Sequence, residues 1–207
     1  MITYEEQLRR DHRWAFQEGS RHFERDSQVQ QTLLRLTAKL NQMGVDYAIA
    51  GGMALFFHGY RRFTEDIDIL VNRDGLKQIH NQLEGLGYVP PFTGSKNLRD
   101  TDSGVKIEFI VAGDYPGDGQ PKPVSFPEPA TVAESIDGMS FLNVTALVEL
   151  KLASGQTNPR RGKDLVDVQE LIAILQLPEE FAERLNPFVQ DKYRELWRIV
   201  KDYPQES

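Results

Sequence analysis

The sequence predicts a mixed α/β fold of the α+β class, in which helices flank a short mixed sheet and a helical C-terminal part follows. Two observations predict it. Short apolar runs with β-type periodicity lie between residues 45 and 111, and helical segments separate them. From about residue 144 onwards, apolar residues recur mainly at helical spacing. We therefore expect a helical arm at 1–25, a core at 26–129 and a mostly helical part at 130–207.

Composition and charge exclude several classes of protein. Hydrophobic residues make up 40% and charged residues 27% of the 207 residues, which is ordinary for a soluble globular protein. No run approaches the roughly 18 apolar residues of a membrane span. The N-terminus lacks the apolar core of a signal peptide, so we expect a cytoplasmic location. Zero cysteines exclude disulfides and thiolate metal sites. The net charge of −7 provides no global basic field for nucleic acid.

The first elements of the core follow from apolar periodicity. A helix at 27–43 is predicted by apolar residues at helical spacing, and Gly44 ends it. A β-type run at 45–50 leads into a glycine pair and a short helix at 53–58. The alternation of apolar residues with carboxylates at 66–71 then predicts a strand.

Helices, strands and loops are also predicted between residues 74 and 129. Asp74 is the expected N-cap of a helix, and 88–89 is a short strand before a polar loop at 93–104. Residues 105–111 predict another strand. Segment 113–129 holds five prolines and three glycines, which indicates a loop, either a lid or a connection.

The C-terminal part is predicted to be mostly helical. A brief extended piece at 141–144 precedes helices at about 144–154, 163–176 and 178–202. Pro187 breaks the last of these into two.

The glycine pair and two alternating carboxylates are the most informative residues. Gly51 and Gly52 lie between a strand and a helix, where backbone N–H groups can bind phosphate; the alternative is a tight turn that merely needs glycine. Asp66 and Asp68 leave one face of a strand, because side chains alternate along it. Such a pair suits Mg²⁺ or Mn²⁺ together with substrate phosphates; the alternative is a solvated strand face.

A third carboxylate strengthens the metal hypothesis. Glu108 shares one face of the strand at 105–111 with Lys106. If this strand neighbours the Asp66 strand, Glu108 joins the pair and completes a two-metal cluster. The alternative for Glu108 is a surface residue paired with an exposed lysine.

Together these residues resemble the nucleotidyltransferase superfamily of the DNA polymerase β type. Its signature is a helix-opening Gly-Gly or Gly-Ser, about a dozen residues, then Asp-h-Asp-h on a strand, where h is hydrophobic, and a later acid on another strand. Here the match consists of Gly51-Gly52, thirteen intervening residues, Asp66 and Asp68, and later Glu108, where the superfamily often has Asp. The resemblance implies a nucleotidyltransferase core, an NTP substrate and a divalent metal held by these three acids.

Further motifs resemble the AbiEii/AbiGii-type nucleotidyltransferases, a family that includes toxins of toxin–antitoxin systems. Residues 62–68 match its Arg-x-Thr-x-Asp-h-Asp form, and 147–154 with 161–167 match its Leu-x-x-x-Lys-Leu and Arg-x-(Lys/Arg)-Asp-Leu-x-Asp motifs. The resemblance implies active-site roles for Lys151 and Asp164, so the C-terminal part would contribute to the active site. Lys151 lies beside an apolar stripe, where a lysine either extends to solvent or points at a negative group such as triphosphate.

Other residues of these motifs have two interpretations each. Arg62 either contacts phosphate or orients Asp66 or Asp68. Thr64 is a nucleotide-binding candidate that also holds the turn entering the strand. Asp167 is expected to be structural support.

The sequence therefore predicts transfer of an NMP from an NTP to a hydroxyl acceptor. The acceptor would be tRNA or a protein, with a cognate antitoxin as a possible partner. The alternatives are a small-molecule nucleotidyltransferase and a non-catalytic nucleotide- or partner-binding module. A tRNA acceptor requires a local basic surface. Its candidates are Arg99 with Lys96, or Arg160, Arg161 and Lys163.

Overall fold

A computed structural model describes residues 2–203. These residues form helices and strands that alternate along the chain. In chain order they are α1 (Tyr4–Arg10), α2 (His12–Phe23), α3 (Gln28–Met43), β1 (Tyr47–Ile49), α4 (Gly51–Phe57), β2 (Asp66–Val71), α5 (Arg73–Leu83), β3 (Tyr88–Val89), β4 (Leu98–Asp100), β5 (Lys106–Val111), α6 (Pro129–Val132), β6 (Ala133–Ile136), β7 (Met139–Leu142), α7 (Val144–Thr157), α8 (Gly162–Ile174) and α9 (Pro187–Asp202).

One mixed sheet of seven strands runs through the described part of the chain. Its strand order is β3-β4-β5-β2-β1-β7-β6. The β2–β5 and β1–β7 pairs are parallel, and the remaining pairs are antiparallel. The predicted mixed α/β class is therefore confirmed.

The two central strands are buried on one face only. Along β5, Ile107, Phe109 and Val111 are buried, and the residues between them are half-buried. Along β2, Asp66 and Asp68 are the half-buried positions. This alternation fixes the register, because a slip of one residue would bury the carboxylates.

The termini of several helices follow their sequences. Gly44 ends α3 in the left-handed conformation with φ of 65°, as predicted. Pro187 opens α9 and separates it from a 3₁₀ turn at Glu179–Arg184, which confirms the predicted break. The prediction of Asp74 as an N-cap is wrong. Asn72 caps α5 instead, because its side chain accepts the Gly75 N–H at 2.8 Å.

The sheet also recruits segments that local pattern did not predict as strands. The predicted polar loop 93–104 contains β4, which pairs with β5. The mostly helical part 130–207 supplies β6, which was not predicted, and β7, which overlaps the extended piece predicted at 141–144. The pairing of β7 with β1 joins segments that are distant in sequence, so short-range periodicity does not reveal it.

The N-terminal arm forms two helices that pack on the core. Glu18 of α2 is fully buried and accepts hydrogen bonds from the Tyr4 hydroxyl and the Gln28 N–H, each at 3.0 Å. Arg99, a candidate for RNA binding, instead forms an ion pair with Glu5 of the arm at 2.8 Å. Among residues 2–203, no helix combines the length and apolarity that crossing a membrane requires.

Candidate active site

Three carboxylates meet on the half-buried face of the two central strands. Strands β2 and β5 are adjacent and parallel, and Asp68 lies opposite Glu108 in the register. Asp66 lies opposite Lys106. The condition under which Glu108 joins the aspartate pair, namely that the two strands are neighbours, is therefore met. We call Asp66, Asp68 and Glu108 the strand carboxylates.

The proton affinity of Asp68 is raised by its surroundings. Burial, and then the negative charges of Asp66 and Glu108, raise the pKa of Asp68 to about 7, although Lys151 and Arg161 oppose the shift. A bound cation would favour the ionised form of Asp68.

Both residues of the glycine pair make space for side chains of the site. Gly51 has φ of 57°, and a Cβ there would overlap with the Asp68 carboxylate. A Cβ on Gly52 would come within 2.6 Å of the Thr64 hydroxyl. The glycines are thus required for close packing against the carboxylate strand, whatever their N–H groups bind.

Thr64 positions the first carboxylate. It is buried, and its hydroxyl donates a hydrogen bond to Asp66 Oδ1 at 2.9 Å. The carboxylate orientation is therefore set by the turn that enters β2, which agrees with the structural interpretation of Thr64.

Glu108 is paired with a lysine on its own strand. Its Oε1 accepts a hydrogen bond from Lys106 Nζ. Within residues 2–203, no group of three or more acidic, histidine or cysteine side chains is arranged to hold a metal ion. Asp66 and Asp68 nevertheless fit Mg²⁺, because this ion usually takes one or two carboxylates and completes its shell with substrate phosphates and water. A third ligand from Glu108 would require release of Lys106.

A second charged group connects the two helices that follow the sheet. Lys151 of α7 donates hydrogen bonds to Asp164 Oδ1 at 3.0 Å and to Asp167 Oδ2 at 2.7 Å, both on α8. All three side chains are buried. Asp164 also accepts the Ser154 hydroxyl at 2.7 Å. We call Lys151, Asp164 and Asp167 the helix cluster.

The two aspartates of the helix cluster are compensated by Lys151 together with Arg62 and Arg161. Burial by itself would raise the pKa of Asp164, but the charge of Lys151 and the Ser154 hydrogen bond hold it below its usual value. Lys151 does point at negative groups, as one interpretation of its position required. In this structure those groups are the two aspartates of α8.

Arg62 joins the helix cluster rather than the strand carboxylates. Its Nε lies 3.1 Å from Asp167 Oδ1, and its Nη2 donates to Asp167 Oδ2 at 3.3 Å. The interpretation that Arg62 orients Asp66 or Asp68 is therefore not what the structure shows. The carboxylate that holds it lies 105 residues further along the chain.

A partly enclosed cavity of about 270 Å³ lies between the two groups. Its charged and polar wall is formed by Asp68, Glu108, Lys96, Asn97, Lys151, Ser154, Arg161 and Asp164. Its apolar wall includes Leu142, Leu147, Leu150, Tyr115 and Phe126. The last two belong to the predicted loop 113–129, which is anchored to α7 by a hydrogen bond from Asn158 Nδ2 to Gly117 O at 3.1 Å. The loop is thus one wall of the cavity.

Some cavity residues escaped prediction as site residues. Asn97 lies in the predicted polar loop, and its Oδ1 accepts the Phe109 N–H at 3.0 Å, which ties the loop to β5. Tyr115 lies in the proline-rich segment. Lys96 and Arg161 were predicted only as parts of a basic surface. The spacing of Arg161 and Asp164 at i,i+3 was the available signal that they interact.

A comparison with protein families identifies one relationship for this region. The model of the aminoglycoside-2″-adenylyltransferase family matches residues 32–115. This segment contains the glycine pair and all three strand carboxylates, and it ends before the helix cluster. The match supports the prediction of a nucleotidyltransferase. It does not confirm the finer resemblance to the AbiEii/AbiGii type. No curated protein matches the chain significantly.

Solved structures with similar folds have low sequence identity to this chain. ANT(2″)-Ia, solved in complex with adenylyl-2″-tobramycin, has a TM-score of 0.49 and 13% identity over 83% of this chain and 98% of that chain. A proposed nucleotidyltransferase from H. pylori has a TM-score of 0.45 and 19% identity, and the match covers 84% of this chain and 82% of that chain. An antigenic nucleotidyltransferase-like protein from Paracoccidioides brasiliensis has a TM-score of 0.45 and 16% identity, and the match covers 82% of this chain and 85% of that chain. Likeness at this level carries no functional argument.

Proposed function

We propose that this protein is a metal-dependent nucleotidyltransferase that moves an NMP from an NTP to a hydroxyl group of a small molecule. The observation that carries the proposal is the placement of Asp68 directly opposite Glu108 at the wall of the cavity. Asp68 is half-buried beside two further acids, and a cation bound there would favour its ionised form.

Asp66 and Asp68 are the residues that would hold Mg²⁺ or Mn²⁺. Their carboxylates leave the same face of β2, and a hydrogen bond from Thr64 orients the first of them. The metal, when bound, would offset the negative charge of the triphosphate. Gly51 packs against Asp68 and Gly52 against Thr64 at the start of α4, and their N–H groups are suited to contact the phosphates.

Glu108 is the residue that would accept a proton. It lines the cavity one strand away from Asp68. The acceptor oxygen forms a bond to the α-phosphorus, pyrophosphate leaves with the electron pair of the broken P–O bond, and the hydroxyl proton passes to the Glu108 carboxylate. Lys151 and Asp164 support this geometry from the opposite wall.

A small acceptor is favoured by the cavity and by the family match. The cavity is partly enclosed by the loop 113–129, and a volume of about 270 Å³ suits a compact ligand. The family model that matches residues 32–115 describes enzymes that adenylylate aminoglycosides. Aminoglycosides are polycations, which a protein with a net charge of −7 attracts.

The test is label transfer from each α-labelled NTP in the presence of Mg²⁺ or Mn²⁺. The acceptors are a panel of aminoglycosides, total tRNA and a cell extract, and Asp66→Asn and Asp68→Asn are the controls. We expect label on an aminoglycoside only with the intact carboxylates. Label on none of the acceptors, from a folded protein that binds NTP, would contradict transfer to these classes.

A toxin acting on tRNA or protein is the second candidate. It is favoured by the meeting of Lys151 and Asp164, the two residues that the AbiEii/AbiGii resemblance implicates, at 3.0 Å. Under this hypothesis, induced expression arrests growth and Asp68→Asn relieves the arrest. A labelled tRNA or protein in the same transfer experiment would identify the acceptor and would point to a cognate antitoxin.

A further inference from the structure

We infer that Arg161 is the side chain that binds the triphosphate of the donor nucleotide in the cavity. The inference rests on the proposed nucleotidyltransferase function and assigns a specific role within it. Arg161 lies at the junction of a 3₁₀ turn and α8, on the wall opposite the strand carboxylates.

The guanidinium of Arg161 is held by hydrogen bonds from its Nε, and its two Nη groups are available to a ligand. Its Nε donates hydrogen bonds to Asp164 Oδ2 at 2.8 Å and to Ser154 Oγ at 3.3 Å. Both hydrogen bonds recorded for its guanidinium within residues 2–203 leave from Nε. The side chain is 57% exposed, in contrast to 6% for Asp164. Because the guanidinium is planar, fixing Nε orients the two Nη groups, which remain available for a bidentate anion.

The other cations near the cavity are less suited to this role. Lys151 is 9% exposed, and its ammonium group already donates to two aspartates. Arg62 is held by Asp167. Lys96 is exposed, and no ion pair of its side chain is recorded within residues 2–203. Arg161 combines an anchor with free donors.

The cavity lining contains charges of both signs. Asp68 and Glu108 lie on one side, and the charge of Arg161 acts on both of them across the cavity. A metal–triphosphate complex has the matching polarity, with its cation toward the acids and its phosphate oxygens toward the guanidinium. Asp164 then acts as a positioning residue, because it holds the guanidinium without facing the phosphates.

The structural alternative is that Arg161 only stabilises the first turn of α8 through its i,i+3 ion pair. This alternative predicts a change in stability but no change in phosphate affinity. The neighbouring Arg160 offers a matched control, since it is exposed and lies outside the cavity lining.

The first experiment is calorimetric titration of the wild-type protein, Arg161→Met, Arg161→Lys and Arg160→Met. The ligands are each Mg²⁺–NTP and Mg²⁺ with inorganic triphosphate, which requires no choice of base. We expect Arg161→Met to weaken triphosphate binding by roughly tenfold, Arg161→Lys to weaken it less, and Arg160→Met to leave it unchanged. Equal affinity of Arg161→Met and the wild type would overturn the inference and leave the proposed function standing. Absence of NTP binding by the wild type would overturn both.

A second measurement needs no variant and therefore does not depend on its folding. Phenylglyoxal modifies accessible arginines of the wild-type protein, and mass spectrometry reports the extent at each position. We expect Mg²⁺ with inorganic triphosphate to protect Arg161 and not Arg160. Equal modification of Arg161 with and without this ligand would also overturn the inference.

Discussion

The strand carboxylates and the helix cluster each contribute two side chains to the same cavity, yet their charges are balanced differently. In the helix cluster, Lys151 bonds to both aspartates, and the pKa of Asp164 is held below its usual value although burial would raise it. Among the strand carboxylates, burial and mutual repulsion raise the pKa of Asp68 to about 7. The aspartates of the helix cluster find their cations within the protein, whereas a cation at the strand carboxylates is part of the proposed function.

This difference separates two kinds of role. A neutralised buried cluster holds α7 and α8 together, and removing one partner leaves a buried charge without compensation. An uncompensated acidic group contributes little to folding and is suited to bind a cation. Substitutions in the helix cluster should therefore reduce stability, and substitutions of the strand carboxylates should reduce activity.

The largest effect is expected from Asp66→Asn. The neutral amide removes a metal ligand but preserves size, so we expect transfer activity to fall on the order of 10³-fold, with no loss of stability. Label transfer gives the rate, and denaturant unfolding gives the free energy. A rate within tenfold of the wild type would show that Asp66 is not part of the catalytic group.

The second-largest effect is a loss of stability expected from Lys151→Met. The change leaves Asp164 and Asp167 buried without their shared lysine, so we expect the free energy of unfolding to fall by about 3 kcal/mol. Urea denaturation measures it. Lys163→Met, on the exposed side of α8, is the control and should change stability by less than about 0.5 kcal/mol. Equal stability of both variants would mean that the helix cluster does not hold the two helices together.

Gly51→Ala probes the packing of the glycine pair against the strand. A Cβ would overlap with the Asp68 carboxylate and displace it, so we expect activity to fall by about 10²-fold. Gly44→Ala is the matched control, because Gly44 has a similar φ of 65° and no atom within 4 Å of the added Cβ. Similar losses of activity in both variants would assign the effect to backbone strain rather than to Asp68.

The smallest effect is the pH dependence of stability, and its sign differs between the two groups. The folded pKa of Asp68 lies above its ordinary value, so its stabilising contribution is present below pH 3.8 and is lost as pH rises to about 7. Asp68→Asn, which resembles the protonated acid, should therefore stabilise the metal-free protein at pH 8.

The helix cluster supplies the control with the opposite sign. The pKa of Asp164 is lowered in the folded protein, so its contribution is present above its ordinary value of 3.8 and is lost as pH falls through the folded pKa. Asp164→Asn should therefore destabilise the protein at pH 8. Unfolding curves recorded in a chelator at pH 8 compare the two variants. Stabilisation by both or by neither would contradict the contrast between the groups.

The sequence by itself determined the local geometry of the site. A strand period of two places Asp66 and Asp68 on one face, and this holds wherever the strand lies. Gly44 and Pro187 mark the end and the start of helices, because one tolerates a positive φ and the other fixes φ. Motif spacing identified Glu108, Lys151 and Asp164 as site candidates, and all three line one cavity.

Only the tertiary structure decided which of these residues meet. The register that sets Asp68 opposite Glu108 depends on the burial of both strands. The sequence of one strand alone does not reveal which residue of the other strand lies opposite. The pairing of Arg62 with Asp167 and the open guanidinium of Arg161 depend on where α8 packs. Which opposite charge a long side chain pairs with depends on distance and burial in the folded chain. The sequence therefore determined which charged residues are present, and the packing determined which of them pair.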